Sequence, residues 1–167
     1  MHDASITFVA KYFIVLPVIA ILFVFWRLPR AEKLPFIELV IGGAIISVIL
    51  AKIGSHLISD PRPFVQGHFT PLIKHAADNG FPSDHTLLAS FLGFAIYTKR
   101  HVLGKLMLVV ALLIGLSRMA AGVHHSWDIL GAFVCSAIGC WLASWLLKKY
   151  FGDTAPAARN RAAHLSK

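Results

Sequence analysis

The chain has 167 residues, of which 57% are hydrophobic and 14% charged, with a mean hydropathy of +0.70. A soluble globular chain carries about 25% charged residues, so this composition excludes an ordinary soluble protein, and the length accommodates one domain rather than two. The net charge of +8 does not indicate nucleic acid, because the basic residues are not massed on one stripe. They fall between apolar runs, where membrane topology places them.

A bilayer-spanning helix needs about 20 predominantly apolar residues. The N-terminus, MHDASITF, lacks the basic region of a cleavable signal, so the first run, about 5–26, reads as a retained helix. The second span is about 35–58. The third, about 84–98, is short. The fourth is about 102–120 and the fifth about 127–149, with Cys135 and Cys140 as small hydrophobes inside it. The expected fold is an all-α, polytopic membrane helix bundle with five spans, or six if the long segment 59–83 contributes one. Residues 1–151 form a single transmembrane domain, and 152–167 (GDTAPAARNRAAHLSK) read as a disordered cytoplasmic tail.

Basic residues set the orientation. Arg27, Arg30 and Lys33 follow the first span, Lys99, Arg100 and Lys105 lie around the third connection, and Lys148, Lys149, Arg159, Arg161 and Lys167 end the chain. Five spans put all three groups on the cytoplasmic side and the N-terminus outside. Segment 59–83 and the turn at 121–125 (AGVHH) then face outward. Segment 59–83 contains Pro61, Pro63, Pro71 and Pro82, so an irregular or briefly helical path is expected.

Three polar groups converge on that outer face. Ionisable groups at membrane depth are costly and usually mark function. The first is Asp60-Pro61-Arg62-Pro63, beyond Lys52 and His56. The second is Pro82-Ser83-Asp84-His85. The third runs from Ser117 to Asp128, with His124 six residues after Arg118 and Asp128 four after His124. If 124–128 opens the fifth helix, His124 and Asp128 share a face at i, i+4. The carboxylate would then fix the imidazole tautomer and leave the other nitrogen free to attack. Arg118 and Arg62 supply planar forks suited to phosphate oxygens, and Lys52 a point charge. Ser83 and the N–H groups of a helix start favour an anion. His85 supplies a proton. Two imidazoles, one attacking and one protonating, suffice for phosphoryl transfer without a metal or other cofactor. His68, His75 and His125 read as structural or solvated.

These residues resemble the type 2 phosphatidic acid phosphatase superfamily of membrane lipid phosphatases. Its signature is a Lys followed by Arg-Pro, then Pro-Ser-Gly-His, then Ser-Arg-x5-His-x3-Asp. The third part matches in full at Ser117, Arg118, His124 and Asp128. The second matches at Pro82, Ser83 and His85, with Asp84 in place of Gly. The first matches at Arg62-Pro63, but the usual spacing puts its Lys at Ser55. The nearest Lys is Lys52, about one helical turn away, and His56 is the other candidate for that role. The motifs cover about 52–128, and the family core is commonly six helices.

PRPF followed by FPSDHT is similar to bacterial undecaprenyl pyrophosphate phosphatases. The resemblance implies hydrolysis of the terminal phosphate of a polyprenyl diphosphate at the outer face of a bacterial cytoplasmic membrane, carrier recycling for peptidoglycan synthesis, and bacitracin resistance. It implies His124 as nucleophile through a phosphohistidine, Asp128 as its orienter, His85 as acid and base, and Arg62, Arg118, Ser83 and Lys52 as phosphate ligands. The partners are a lipid phosphate and the surrounding membrane lipids. A phosphatase for phosphatidylglycerophosphate or phosphatidate is the alternative within the class. A transporter would need polar groups at the midplane, and a metal-binding membrane protein would not flank its histidines with arginines.

Overall fold

The structure is a computed structural model and describes residues 2–152; the tail reading lies outside the described residues except for Gly152. Helix α1 spans His2–Tyr12, α2 Val15–Arg27, α3 Arg30–Leu57, α4 Pro63–Gln66, α5 Asp84–Tyr97, α6 His101–Ala120 and α7 Ser126–Phe151. The fold is an all-α helix bundle, with no strand among the described residues. Among the described residues four helices are long and apolar enough to cross a bilayer: Asp3–Arg27 taken together, Arg30–Leu57, His101–Ala120 and Ser126–Tyr150. Leu22, Ile45, Leu106, Val134 and Trp141 lie between 48% and 65% exposed on the outside of the bundle. A hydrocarbon solvent tolerates such a surface and water does not.

One element differs from the sequence expectation. The first apolar run is not one helix. Pro17 cannot donate to the Phe13 carbonyl, and its ring clashes with the preceding turn. That carbonyl accepts from the Leu16 N–H at 3.0 Å instead, and α1 ends before α2 begins. Segment 59–83 contributes only the single turn of α4, starting on Pro63 at a position where a missing N–H costs nothing.

Helix α5 is the central element. It packs against α2, α3, α6 and α7, and Thr86, Ala89, Ser90, Ala95 and Ile96 are fully buried. Its 14 residues span only about 21 Å, and Ser83 just before it is fully buried. Ser90 Oγ and Ser136 Oγ share a 2.7 Å hydrogen bond that joins α5 to α7. Gly139 allows α7 to lie against α3, since a Cβ there would collide with Ser47 Oγ and stand 2.8 Å from the Gly43 carbonyl.

A core of Val24, Leu28, Phe36, Leu39, Phe91, Leu92, Ile96, Cys140 and Ala143 fills the end of the bundle opposite the polar constellation. At that end Lys99 Nζ meets Glu32 Oε2 at 3.0 Å, so the two basic connections sit side by side.

Candidate active site

Three chain segments meet at the other end of the bundle. The start of α5 is tied to the start of α7 by the Ser83 N–H, which donates to the Asp128 carbonyl at 3.2 Å. The segment after α3 is tied to the end of α6: Phe64 N–H donates to the Gly122 carbonyl at 3.2 Å and Leu72 N–H to the Ala121 carbonyl at 3.0 Å. These few backbone bonds bring Arg62, Ser83, His85, Arg118, His124 and Asp128 together.

His124 Nδ1 donates to Asp128 Oδ2 at 3.0 Å. The two residues are 3% and 0% exposed. They do not sit on one helix face as expected, because α7 starts at Ser126 and His124 precedes it. Gly122, at φ +77°, and the extended His125 fold the chain back so that the imidazole lies over the first turn. The same Asp128 oxygen accepts the His125 N–H at 2.9 Å. With Nδ1 committed to the carboxylate, Nε2 carries the free lone pair. Burial, together with the Arg118 and Arg62 charges, holds the His124 imidazole below its ordinary pKa, against the opposing pull of Asp128.

Arg62 is buried and held from several sides. Its Nε donates to Asp78 Oδ1 at 2.8 Å, and its Nη1 donates to the Val123 carbonyl at 2.9 Å. Nη1 also stands 3.3 Å from His124 Nε2. The hydrogen bond from Arg62 holds the exposed Asp78 carboxyl below the usual carboxylate range. Arg118 is 3% exposed, and its closest acceptor is the Ala10 carbonyl, 3.5 Å from Nη1. Its Nε is buried with no acceptor among the described residues. A buried guanidinium donor without a protein partner is costly unless an anion completes it.

Ser83 precedes α5 and is fully buried, and its Oγ accepts from Thr86 Oγ1 at 3.2 Å. Its own hydroxyl proton and the free N–H groups of the first turn of α5 make an anion-binding helix start. His85, in that turn, lies within the electrostatic reach of Arg118, Asp84, His124 and His75.

Lys52 is not brought to this cluster. Ala51 and Ser55 turn toward the bundle, while Lys52 and His56 are exposed on α3 and line a shallow groove of about 420 Å³ with Val48, Ile49, Ile53 and Leu57. Ser55, at the spacing where the family signature has its Lys, instead meets Asn79, whose Nδ2 donates to the Ser55 carbonyl at 2.8 Å. Three positions along a helix leave a net rotation of about 60°, and here that sets Lys52 on the exposed flank while Ser55 is half-buried.

Sequence reasoning placed Asp60 in the polar group but missed the support built by His75, Asp78, Asn79 and Gly80. Asn79 uses both ends of its amide: Oδ1 accepts the Asp60 N–H at 2.9 Å, and Nδ2 also donates to the Ile58 carbonyl at 2.8 Å. Asp60 Oδ2 lies 3.1 Å from His125 Nδ1. Burial first, and then the adjacent Asp128, push the Asp60 carboxyl above its usual range. The DNG tripeptide at 78–80 announces a turn, but nothing local says that the turn backs a guanidinium.

Gly80 is needed for close approach. A Cβ there would stand 2.9 Å from Asp128 Oδ2 and 3.2 Å from the Asp60 carbonyl. Gly80→Ala should destabilise the fold by about 1–3 kcal/mol and lower turnover by displacing Asp128. Thermal unfolding and kcat measured together check this; an unchanged kcat would show that the contact is not tight.

Comparison with known proteins follows the same lines. Residues 35–157 match the model of the PAP2 superfamily. YbjG of Escherichia coli strain K12 is 36% identical over 135 residues, covering 80% of this chain and 67% of that protein. Undecaprenyl-diphosphatase BcrC of Bacillus subtilis strain 168 is 30% identical over 136 residues, covering 81% and 70%. Among solved structures, Aquifex aeolicus LpxE superposes with a TM-score of 0.66 at 20% identity, over 84% of each chain, which is a likeness of fold.

Proposed function

This chain belongs to the PAP2 superfamily, and from that premise we propose that it is a lipid diphosphatase that hydrolyses the terminal phosphate of undecaprenyl diphosphate through a phosphohistidine intermediate. It is a phosphatase and a multi-pass membrane protein. The observation that carries the chemistry is His124 Nδ1 on Asp128 at 3.0 Å, with Arg62 Nη1 3.3 Å from Nε2, the nitrogen turned away from the carboxylate. A nucleophilic nitrogen and a guanidinium fork share one place.

The lone pair of His124 Nε2 attacks the terminal phosphorus. The bond from that phosphorus to the bridging oxygen breaks, and His85 gives its proton to the departing lipid phosphate. His85 then takes a proton from water, whose oxygen attacks the phosphoryl group. The P–N bond breaks and orthophosphate leaves. Arg62, Arg118 and Ser83 hold the equatorial oxygens, where charge accumulates in the transition state; Lys52, exposed on another face, has no part in this set. Asp128 keeps the imidazole in the attacking tautomer.

The site faces the outer leaflet and the basic connections face the cytoplasm, as the Lys/Arg bias requires. Residues 1–151 serve as the single catalytic domain of a bacterial inner-membrane enzyme. In this role it returns the lipid carrier of peptidoglycan synthesis to its monophosphate form and confers bacitracin resistance. The similarity to a curated undecaprenyl-diphosphatase supports this substrate over phosphatidylglycerophosphate or phosphatidate.

Phosphate release by the purified protein from C55 diphosphate, shorter isoprenoid diphosphates, phosphatidylglycerophosphate and phosphatidate tests the reading. Preference for the diphosphates supports it, and preference for the glycerolipids sinks it. Excess EDTA should leave turnover unchanged, and loss of turnover would favour a metal-dependent enzyme.

The pH profile gives a second check. The attacking form of His124 is neutral, and its surroundings depress its pKa. Protonation therefore removes the nucleophile only below the ordinary imidazole value of about 6.5. The acid limb of kcat/KM, corrected for substrate ionisation, should lie below that value. A limb above it would contradict a buried nucleophile.

A further inference from the structure

His75 lies in the irregular segment after α4, and its sequence surroundings mark it as nothing more than a loop residue. Its ring stands edge-on to that of His124, with centroids 6.0 Å apart and planes at 77°. Nδ1 lies 3.4 Å from the Ala76 carbonyl and 3.9 Å from Asp78 Oδ1. That Asp78 oxygen is the one that receives Arg62 Nε at 2.8 Å. One loop carboxylate therefore bonds the guanidinium that reaches His124 and lies near, beyond hydrogen-bond distance, the imidazole beside it. Among the described residues, the only hydrogen bond of His75 is to the residue that follows it. The fold itself gives its other nitrogen no use.

The side chain is 25% exposed, and beside the Asp78 carboxylate the groups whose charge reaches it include Arg62, Arg118 and His124. Arg62, Arg118 and Ser83 already provide for one phosphoryl group. His75 adds a donor from a separate element. A phosphorus under attack stands about 3–3.5 Å from the attacking nitrogen, and a hydrogen-bonded oxygen lies about 2.7–3.2 Å from its donor. Ring centres 6.0 Å apart therefore leave room for a phosphoryl group between the two imidazoles, where the second ring can meet a substituent of that phosphorus.

We propose that His75 binds the inner phosphate of a diphosphate ester and so selects diphosphates over monoesters. This rests on the assignment of His124 as nucleophile, and it deepens that reading by naming a residue that decides substrate class. Burial and the neighbouring guanidinium of Arg62 keep the free imidazole neutral. It therefore offers an N–H donor without adding a further cation to a site that already holds Arg62 and Arg118.

The test uses the purified full-length protein with His75→Ala and His75→Phe, the latter keeping a ring against His124 without the nitrogens. Inhibition by methylenediphosphonate, a non-hydrolysable diphosphate, is compared with inhibition by orthophosphate. The reporter reaction is hydrolysis of whichever lipid phosphate the wild type turns over fastest. A lost hydrogen bond to a charged group predicts that diphosphonate affinity falls at least about tenfold more than orthophosphate affinity. The ratio of kcat/KM for an isoprenoid diphosphate to that for its monophosphate should fall in parallel. Equal losses for both inhibitors, or no loss, in either folded variant would overturn the proposal. If the wild type prefers glycerolipid phosphates, the substrate reading fails, yet the inhibitor comparison still decides the role of His75.

Discussion

His124→Ala should lower phosphate release by about 10⁴-fold or more, the scale on which nucleophile removal acts in covalent hydrolases. The variant loses Nε2, the nitrogen left free when Nδ1 is bound to Asp128. The guanidiniums of Arg62 and Arg118 and the α5 N-terminus remain. Substrate should therefore still bind, and kcat should fall far more than affinity. His124 lies outside any helix and its charged partners are Asp128 and Arg62, so its removal should cost about 1–3 kcal/mol of stability and leave the bundle folded. Rapid quenching of the wild type during turnover should trap an acid-labile, base-stable phosphoryl group that the variant lacks. Residual turnover above about one hundredth of wild type, in a folded variant, would remove His124 as nucleophile.

Asp128→Asn comes next in size, at about 10³–10⁴-fold in kcat, by analogy with the loss seen when the orienting carboxylate of a catalytic triad is made an amide. The shape is almost unchanged, but the chemistry inverts. Asp128 Oδ2 accepts from both the His124 ring and the His125 N–H. An asparagine with its amide oxygen in that place keeps both bonds but loses the charge that steadies the imidazole cation. One with its NH₂ there meets two donors and drives the proton from Nδ1 to Nε2, blocking attack. Substrate affinity should change little, since the phosphate ligands are elsewhere. The diagnostic is kcat measured beside orthophosphate inhibition. A kcat within tenfold of wild type would mean that Asp128 does not set the tautomer.

The apolar runs by themselves determined the bundle. Bilayer thickness dictates run length, and hydrocarbon leaves a helix as the only way to satisfy the backbone in a single segment. Pro17 was visible too, but whether it bends or breaks the first run depends on what packs around it. The Ser-Arg-x5-His-x3-Asp pattern was legible because its members lie within twelve residues of one another. Only the tertiary structure decided that His124 stands before α7 and folds back onto it, that Lys52 turns away while Ser55 turns in, and that Asp78, Asn79 and Gly80 support Arg62. These depend on contacts such as Arg62 with His124, which are 62 residues apart. Such pairings leave no periodic trace in the sequence. They arise where helix ends meet, and a helix end carries unsatisfied donors and acceptors whose partners come from whichever segment the packing of the bundle brings alongside.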